Sequence, residues 1–296
     1  MTTTPTTRRA PTTHTLEVPG ATLAYDVRRN DATTEPPLVL IGTPMGASGF
    51  DTLSGYFSDR TVVTYDPRGT ERSTISDQAL EVTPEVHADD VHRLIEEIGG
   101  GPVDLFASSG GAINALALVA RHPEDVRTVV AHEPPNFAFL PDRKEALAVV
   151  QDIQKTYQEG GLSPAMAKFM AVVSHQGPFP ADFVDRPAPD PAMFGMPTED
   201  DGSRDDSLMK AFIVKGTAFE PDIEALRAAP TRVVLAVGAE SEGILARRGG
   251  EAIAERLGSH AVIFPSGHAG FMDGEYGQSG EPEAFAAKLR EVLAGA

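Results

Sequence analysis

The chain contains no cysteine. Disulfides, thiolate metal sites and cysteine nucleophiles are therefore excluded, and any covalent catalysis falls to another side chain. Positive charge is also scarce: 25 Lys and Arg face 43 Asp and Glu, for a formal charge of −18. Such a surface repels phosphate backbones and anionic headgroups, which argues against nucleic acid or a membrane as partner. No apolar run approaches the roughly 18 residues that a membrane span needs. The opening "MTTTPTTRRAPTTHT" lacks the apolar centre of a secretory signal, so a cytoplasmic location is expected. Residues 1–14 read as a disordered tail, with His14 solvated inside it.

What the chain does contain is a repeated short pattern. Apolar runs rich in β-branched residues alternate with helix-period segments, which is how a mostly parallel sheet covered by helices is written. Eight strands are predicted, at 15–19, 22–28, 37–42, 61–66, 103–108, 127–132, 232–238 and 260–265. Between the fourth and fifth, "PEVHADDVHRLIEEI" places Val86, Val91, Leu94, Ile95 and Ile98 on one helical face. The alternation stops after "HEPP" and resumes almost one hundred residues later. The expected organisation is a core of residues 15–135 and 228–296 with an insertion at 136–227 after the sixth strand. Helices are predicted in it at 142–158, 163–175 and 205–216. The intervening stretch, dense in Pro, Gly and Asp, reads as loop. A terminal helix is expected at 282–293.

One strand exit carries chemistry. In "LFASSGGAIN" a serine leaves a buried strand directly into a helix, a sharp turn that needs small residues two before and two after it. Around Ser109 these are Ala107 and Gly111, whereas around Ser108 one of them is Phe106, so Ser109 is the candidate nucleophile. The same residues also suit a plain turn with N-capping serines. Gly110, next in the chain, offers an N–H at a helix N-terminus, where developing negative charge is favoured.

A base must then be found among eight histidines. His87 and His92 fall on the amphipathic helix, His122 precedes Pro123, His175 belongs to the insertion, and His132 and His260 flank strands. His268 lies in the glycine-flanked "FPSGHAGFM" after the last strand, the place of the base in the order Ser, acid, His. The loop "IGTPMGASGF" follows the third strand. Because Pro44 has no N–H, Thr43 is the natural second oxyanion donor, with Met45 as runner-up. In "YDPRGTERS", Asp66 and Arg68 read as braces. Two sites compete for the acid: Glu133 in "VVAHEPP", favoured because adjacent strand ends are about 5 Å apart, and Glu240 in "VGAESEG".

Together these segments resemble the α/β-hydrolases over essentially the whole chain from residue 15. The resemblance implies an eight-stranded, mostly parallel α/β-hydrolase sheet with a helical cap and a Ser-acid-His mechanism. Within that family, "SSGGA" paired with "HEPP" is similar to the zearalenone hydrolase-like lactonases, whose elbow holds Cys-Ser-Ser-Gly-Ala and whose acid is a Glu in His-Glu-Leu-Pro. The 24-residue separation of Ser109 and Glu133 is similar as well. The match departs at Ala107, at "GTPMG" and in the insertion. Carried over, it implies Ser109 as nucleophile, Glu133 as acid and His268 as base.

The expected activity is hydrolysis of a carboxylic ester or lactone, a small molecule, through an acyl-enzyme, with no metal or organic cofactor required. A serine nucleophile argues against dehalogenases and epoxide hydrolases, relatives that use Asp. Met45, Phe137, Met193, Phe194 and Phe212 are candidates to line the substrate pocket. Two other readings share these residues: a binding protein that keeps the pocket but turns nothing over, and a perhydrolase or haloperoxidase-like enzyme in which peroxide replaces water. Dimerisation through the cap or a sheet edge is left open.

Overall fold

The computed structural model describes residues 10–99 and 101–295. Its strands are β1 (Thr12–Val18), β2 (Ala21–Arg28), β3 (Leu38–Ile41), β4 (Val62–Tyr65), β5 (Thr74–Ile75), β6 (Val103–Ser108), β7 (Val126–His132), β8 (Arg232–Gly238) and β9 (Val262–Phe264). Their order across the sheet is β1-β2-β4-β3-β6-β7-β8-β9, with β5 beside β2. β2 pairs antiparallel with β1 and β4, and every later pair along that path is parallel. This is the expected mostly parallel architecture with one strand more than predicted. β5 is two residues long, too short to show an alternation, and exists through its pairing with Ala21 and Thr22.

The central strands are apolar on both faces because both faces are covered. In β6, Val103, Leu105 and Ala107 enter one core with Val91, Leu94 and Leu116, while Phe106 enters the other with Phe50, Phe271 and Phe285. The helices responsible are α1 (Asp51–Gly55), α2 (Pro84–Ile98) and α3 (Gly110–Arg121) early in the chain, and α8 (Leu245–Leu257) and α9 (Pro282–Leu293) late. Proline at the first position of α2, and the Thr83 hydroxyl accepting the Val86 N–H, fix where that helix starts.

The N-terminus departs from expectation. β1 begins at Thr12, so three residues assigned to the tail are in the sheet, and residues 1–9 lie outside the described residues. His14 stacks on Tyr25 at 5.2 Å, and the Thr13 hydroxyl donates to Asp26 at 2.6 Å. β1 is an edge strand predicted from residue 15, but its start is exposed, so no apolar run announces residues 12–14; threonine's β-preference is the local signal there.

Between β7 and β8 come α4 (Arg143–Gly160), α5 (Leu162–Val173), a π-helical stretch Leu208–Phe212 continued by α6 (Ile213–Lys215), and α7 (Ile223–Ala228). Phe137, Val150, Ile153, Tyr157, Phe212 and Ile213 form their own apolar cluster, joined to the core through Ile113 and Leu245. Leu226 of α7 belongs instead to the cluster around α3, so the chain returns to the core slightly before residue 228. Among the described residues no helix is long and apolar enough to cross a membrane.

Candidate active site

Parallel register brings the predicted residues to one end of the sheet. Ser108 of β6 pairs with His132 of β7, which pairs with Ala236 of β8. The next residues, Ser109 and Glu133, therefore leave the sheet side by side. Ser109 has φ 58° and ψ −129°, a region that favours glycine, and its N–H donates to the His132 carbonyl at 2.9 Å. The turn is tight because α3 starts against β3. A Cβ at Gly111 would lie 2.8 Å from Gly42 Cα and from the Ile41 carbonyl oxygen, and one at Gly110 would lie 2.6 Å from the Phe212 ring and 2.7 Å from the Thr43 carbonyl oxygen. Since those obstructing main-chain atoms have nowhere to move, Gly111→Ala is expected to lower unfolding stability by about 1–3 kcal/mol in urea denaturation. An unchanged midpoint would mean that α3 does not seat this closely.

Glu133 is fully buried, with φ 49°. Its Oε1 accepts the Gly238 N–H at 2.7 Å and its Oε2 accepts from His268 Nδ1 at 2.6 Å. Burial pushes this carboxyl up. The hydrogen bond from His268, the fields of His132 and His268 and the nearby Ser241 hydroxyl outweigh it, leaving the group lowered to about 2. An ionised carboxylate only accepts, so Nδ1 of His268 carries the proton of that bond. His268 is 42 % exposed at its side chain. Glu240 has a different partner, accepting from the Ser266 hydroxyl at 3.2 Å.

Thr43 is buried, its hydroxyl donating to the Gly42 carbonyl at 2.6 Å and accepting from Asn114 Nδ2 at 2.9 Å. Asn114, one turn into α3, thus ties the loop after β3 to the helix behind the serine. Met45 sits beside Gly42 and Gly49. Phe212 lies over Gly110, and Phe137 is buried in the insertion's cluster. Met193 and Phe194 do not match the pocket expectation. At 78 % and 43 % exposed, on the single turn Pro191–Phe194 beside α5, they are too open to line a closed pocket. Apolarity put them on the candidate roster, and a loop rich in proline placed them outside. A cavity of about 470 Å³ lies within the insertion, lined by Ile153, Lys168, Val172, Phe183 and Arg186 among others, and includes none of the predicted site residues. Asp66 and Arg68 are braces as expected: Asp66 accepts the Ala47 N–H and Arg72 Nε, and Arg68 grips buried Asp90 at 2.6 and 2.7 Å.

Several neighbours of the site escaped the sequence reading. The Ser108 hydroxyl and His132 Nδ1 are 3.2 Å apart, and the His132 ring is enclosed by Phe106, Phe264, Phe271 and Phe285 and stacked 6.2 Å from His268. Ser48 and Tyr276 both donate to Glu71, joining the loops that follow β3, β4 and β9. Among the described residues, the non-glycine positions with positive φ are Glu71, Ser109, Glu133, Ser266 and Tyr276, all in loops beyond the carboxyl ends of β4, β6, β7 and β9. Strain of this kind collects where a fold positions functional groups, and its register along the chain is the signal that no residue pattern reveals.

Two buried imidazoles make the fold acid-sensitive. Burial pushes His132 down to about 4, with Glu133 acting upward and His268 downward, and burial with the Arg68 charge pushes His87 down to about 3. Both stay neutral in the folded chain while the unfolded chain protonates them near 6.5. Their contribution is therefore complete above pH 6.5 and is lost as pH falls toward 4 and 3, at about 1.4 kcal/mol per pH unit each. Unfolding stability is expected to drop steeply between pH 6.5 and 4.5. His87→Gln and His132→Gln should each flatten that slope by about one proton, and slopes identical to the parent would contradict the neutral assignment.

Comparison with known proteins follows the same lines. The sequence profile described as the alpha/beta hydrolase fold matches residues 38–275. The uncharacterized hydrolase YraK of Bacillus subtilis is 30% identical over 267 residues, spanning 87% of this chain and 89% of that protein. Among solved structures, a thermophilic esterase from Thermogutta terrifontis superposes with a TM-score of 0.67 at 19% identity, covering 97% of this chain and 98% of its own. The enol-lactonase of Burkholderia xenovorans superposes at 0.64 with 17% identity, over 95% and 100%. With a profile match across most of its length, a relative aligned nearly end to end and a parallel sheet of this order, the chain belongs to the α/β-hydrolase fold family.

Proposed function

We propose that the protein hydrolyses a carboxylic ester or lactone through Ser109, Glu133 and His268. The observation that carries this reading is the 2.6 Å contact between His268 Nδ1 and a fully buried Glu133, one residue past the strand that pairs with the Ser109 strand. Burying a carboxylate is costly, and besides the Gly238 N–H the partner that offsets the cost here is the His268 imidazole. Orienting that imidazole for Ser109 is the role this pairing supports.

In this reading Ser109 Oγ attacks the acyl carbon while Nε2 of His268 takes its proton. Glu133 holds the tautomer and stabilises the imidazolium. The carbonyl oxygen, now negative, is met by the N–H groups of Gly110 and Thr43, the first aided by the N-terminus of α3. The tetrahedral adduct collapses, His268 gives its proton to the leaving alkoxide, and the acyl group stays on Ser109. Water repeats the sequence and returns free Ser109 and the acid. Every proton moves through His268, so the cycle requires no cofactor.

The insertion is read as a lid because Phe212 rests on Gly110, the residue after the proposed nucleophile, which puts an aromatic wall beside the acyl carbon. The esterase and the enol-lactonase that share the fold support the ester and lactone class. The "SSGG" and "HEPP" pair supports adding a zearalenone-type macrolactone to the substrates tried. The test is turnover of p-nitrophenyl butyrate, δ-valerolactone and that macrolactone by the purified chain. Many product molecules per protein from at least one of them is expected. A melting shift with these compounds and no product would instead identify a binding protein.

A further inference from the structure

α2 and α3 lie side by side, and at the end of α3 remote from Ser109 they bring two imidazoles together. The rings of His92, on α2, and His122, the C-cap of α3, stack at 3.8 Å with 7° between their planes. His92 Nδ1 is 2.7 Å from Asp125 Oδ2, in the turn Pro123–Asp125 that follows α3. One ligand atom from each of His92, His122 and Asp125 lies within 4.8 Å of the others. Two further carboxylates of α2 stand behind the rings: Asp89, also held by Arg121, is 3.3 Å from His122 Nε2, and Glu96 is 3.6 Å from His92 Nε2.

We propose that His92, His122 and Asp125 bind one divalent transition-metal ion of the zinc or nickel class. Two imidazole nitrogens and one carboxylate oxygen suit those ions, whereas magnesium and calcium prefer all-oxygen sets. A tetrahedral ion with bonds of about 2.0–2.2 Å spaces its ligands about 3.3 Å apart. His92 Nδ1 and Asp125 Oδ2, 2.7 Å apart, part by about 0.6 Å to reach that spacing. The widest gap closes by up to about 1.5 Å when the half-buried rings rotate out of their stack, which side-chain torsions supply with the helices fixed. The ion takes the place of the hydrogen bond between His92 and Asp125, and water completes the coordination. Asp89 and Glu96 then stand where the outer partners of ligating imidazoles do their orienting. The ion clamps α2 to the end of α3. At 1.5 Å per residue that end is about 18 Å from the elbow, so the site is structural and separate from ester cleavage.

The experiment is calorimetric titration of the chelator-treated full chain at pH 7.5 with zinc chloride, nickel chloride and magnesium chloride. His92→Ala and His122→Ala are measured alongside, replaced by His92→Gln and His122→Gln if circular dichroism shows an alanine variant unfolded. One zinc or nickel ion per chain with a dissociation constant below about 100 μM is expected, at least tenfold weaker in each variant, with no heat from magnesium. The melting temperature should rise with zinc in the parent only. No ion bound by the parent, or parental affinity kept by either variant, overturns the proposal and leaves a hydrogen-bonded brace.

Discussion

Replacing Ser109 with alanine is expected to lower kcat/KM for ester hydrolysis by at least about 10⁴-fold while leaving the chain folded. The size follows from the proposed route: without Oγ no acyl-enzyme forms, and only the oxyanion donors and binding remain to assist water. The same position carries a stability signature. Its φ of 58° and ψ of −129° suit glycine better than any residue with a Cβ. Ser109→Gly should therefore be about 1 kcal/mol more stable than Ser109→Ala, though equally inactive. Rates measured by initial velocities and stabilities by urea denaturation check both halves. Residual activity within tenfold of the parent would place the nucleophile elsewhere.

Glu133→Gln is expected to cost about 10³–10⁴-fold in kcat, and Glu240→Gln less than about twofold. The carboxylate faces two donors, the Gly238 N–H and the Nδ1–H of His268. A glutamine has one oxygen for them. The main-chain N–H of Gly238 cannot change, so the amide oxygen goes there and the NH₂ turns to His268, which must accept at Nδ1 and carry its proton on Nε2. That tautomer cannot take a proton from Ser109. The Glu240 carboxylate accepts from the Ser266 hydroxyl, not from His268, and its loss leaves the imidazole as it was. Equal losses in both variants would contradict this division of roles.

Much of the fold was legible because the central strands are short apolar runs buried on both faces, and the helices between them carry one apolar stripe. The edges were not. The first residues of β1, ahead of the predicted start at 15, show no stripe because that half faces solvent, and β5 is a pairing rather than a pattern. Glu133 could be preferred over Glu240 only by reasoning about adjacent strand ends, which is register, not composition. The Ser108–His132 contact, the Asn114 tie to Thr43 and the His92–His122 stack join residues 24, 71 and 30 positions apart. No local spacing encodes such contacts. Met193 and Phe194 illustrate the opposite failure, since apolarity names candidates for a pocket without saying which way a loop faces.

The activation of Ser109 is the centre of the account, and a fluorophosphonate probe tests it most directly. The purified chain is labelled, digested and the adduct mapped by mass spectrometry, with Glu133→Gln and Glu240→Gln labelled in parallel. The account expects a single adduct on Ser109 that forms as fast in the Glu240 variant as in the parent and far more slowly in the Glu133 variant. An adduct on Ser108, or a folded chain that takes no label at all, would contradict it.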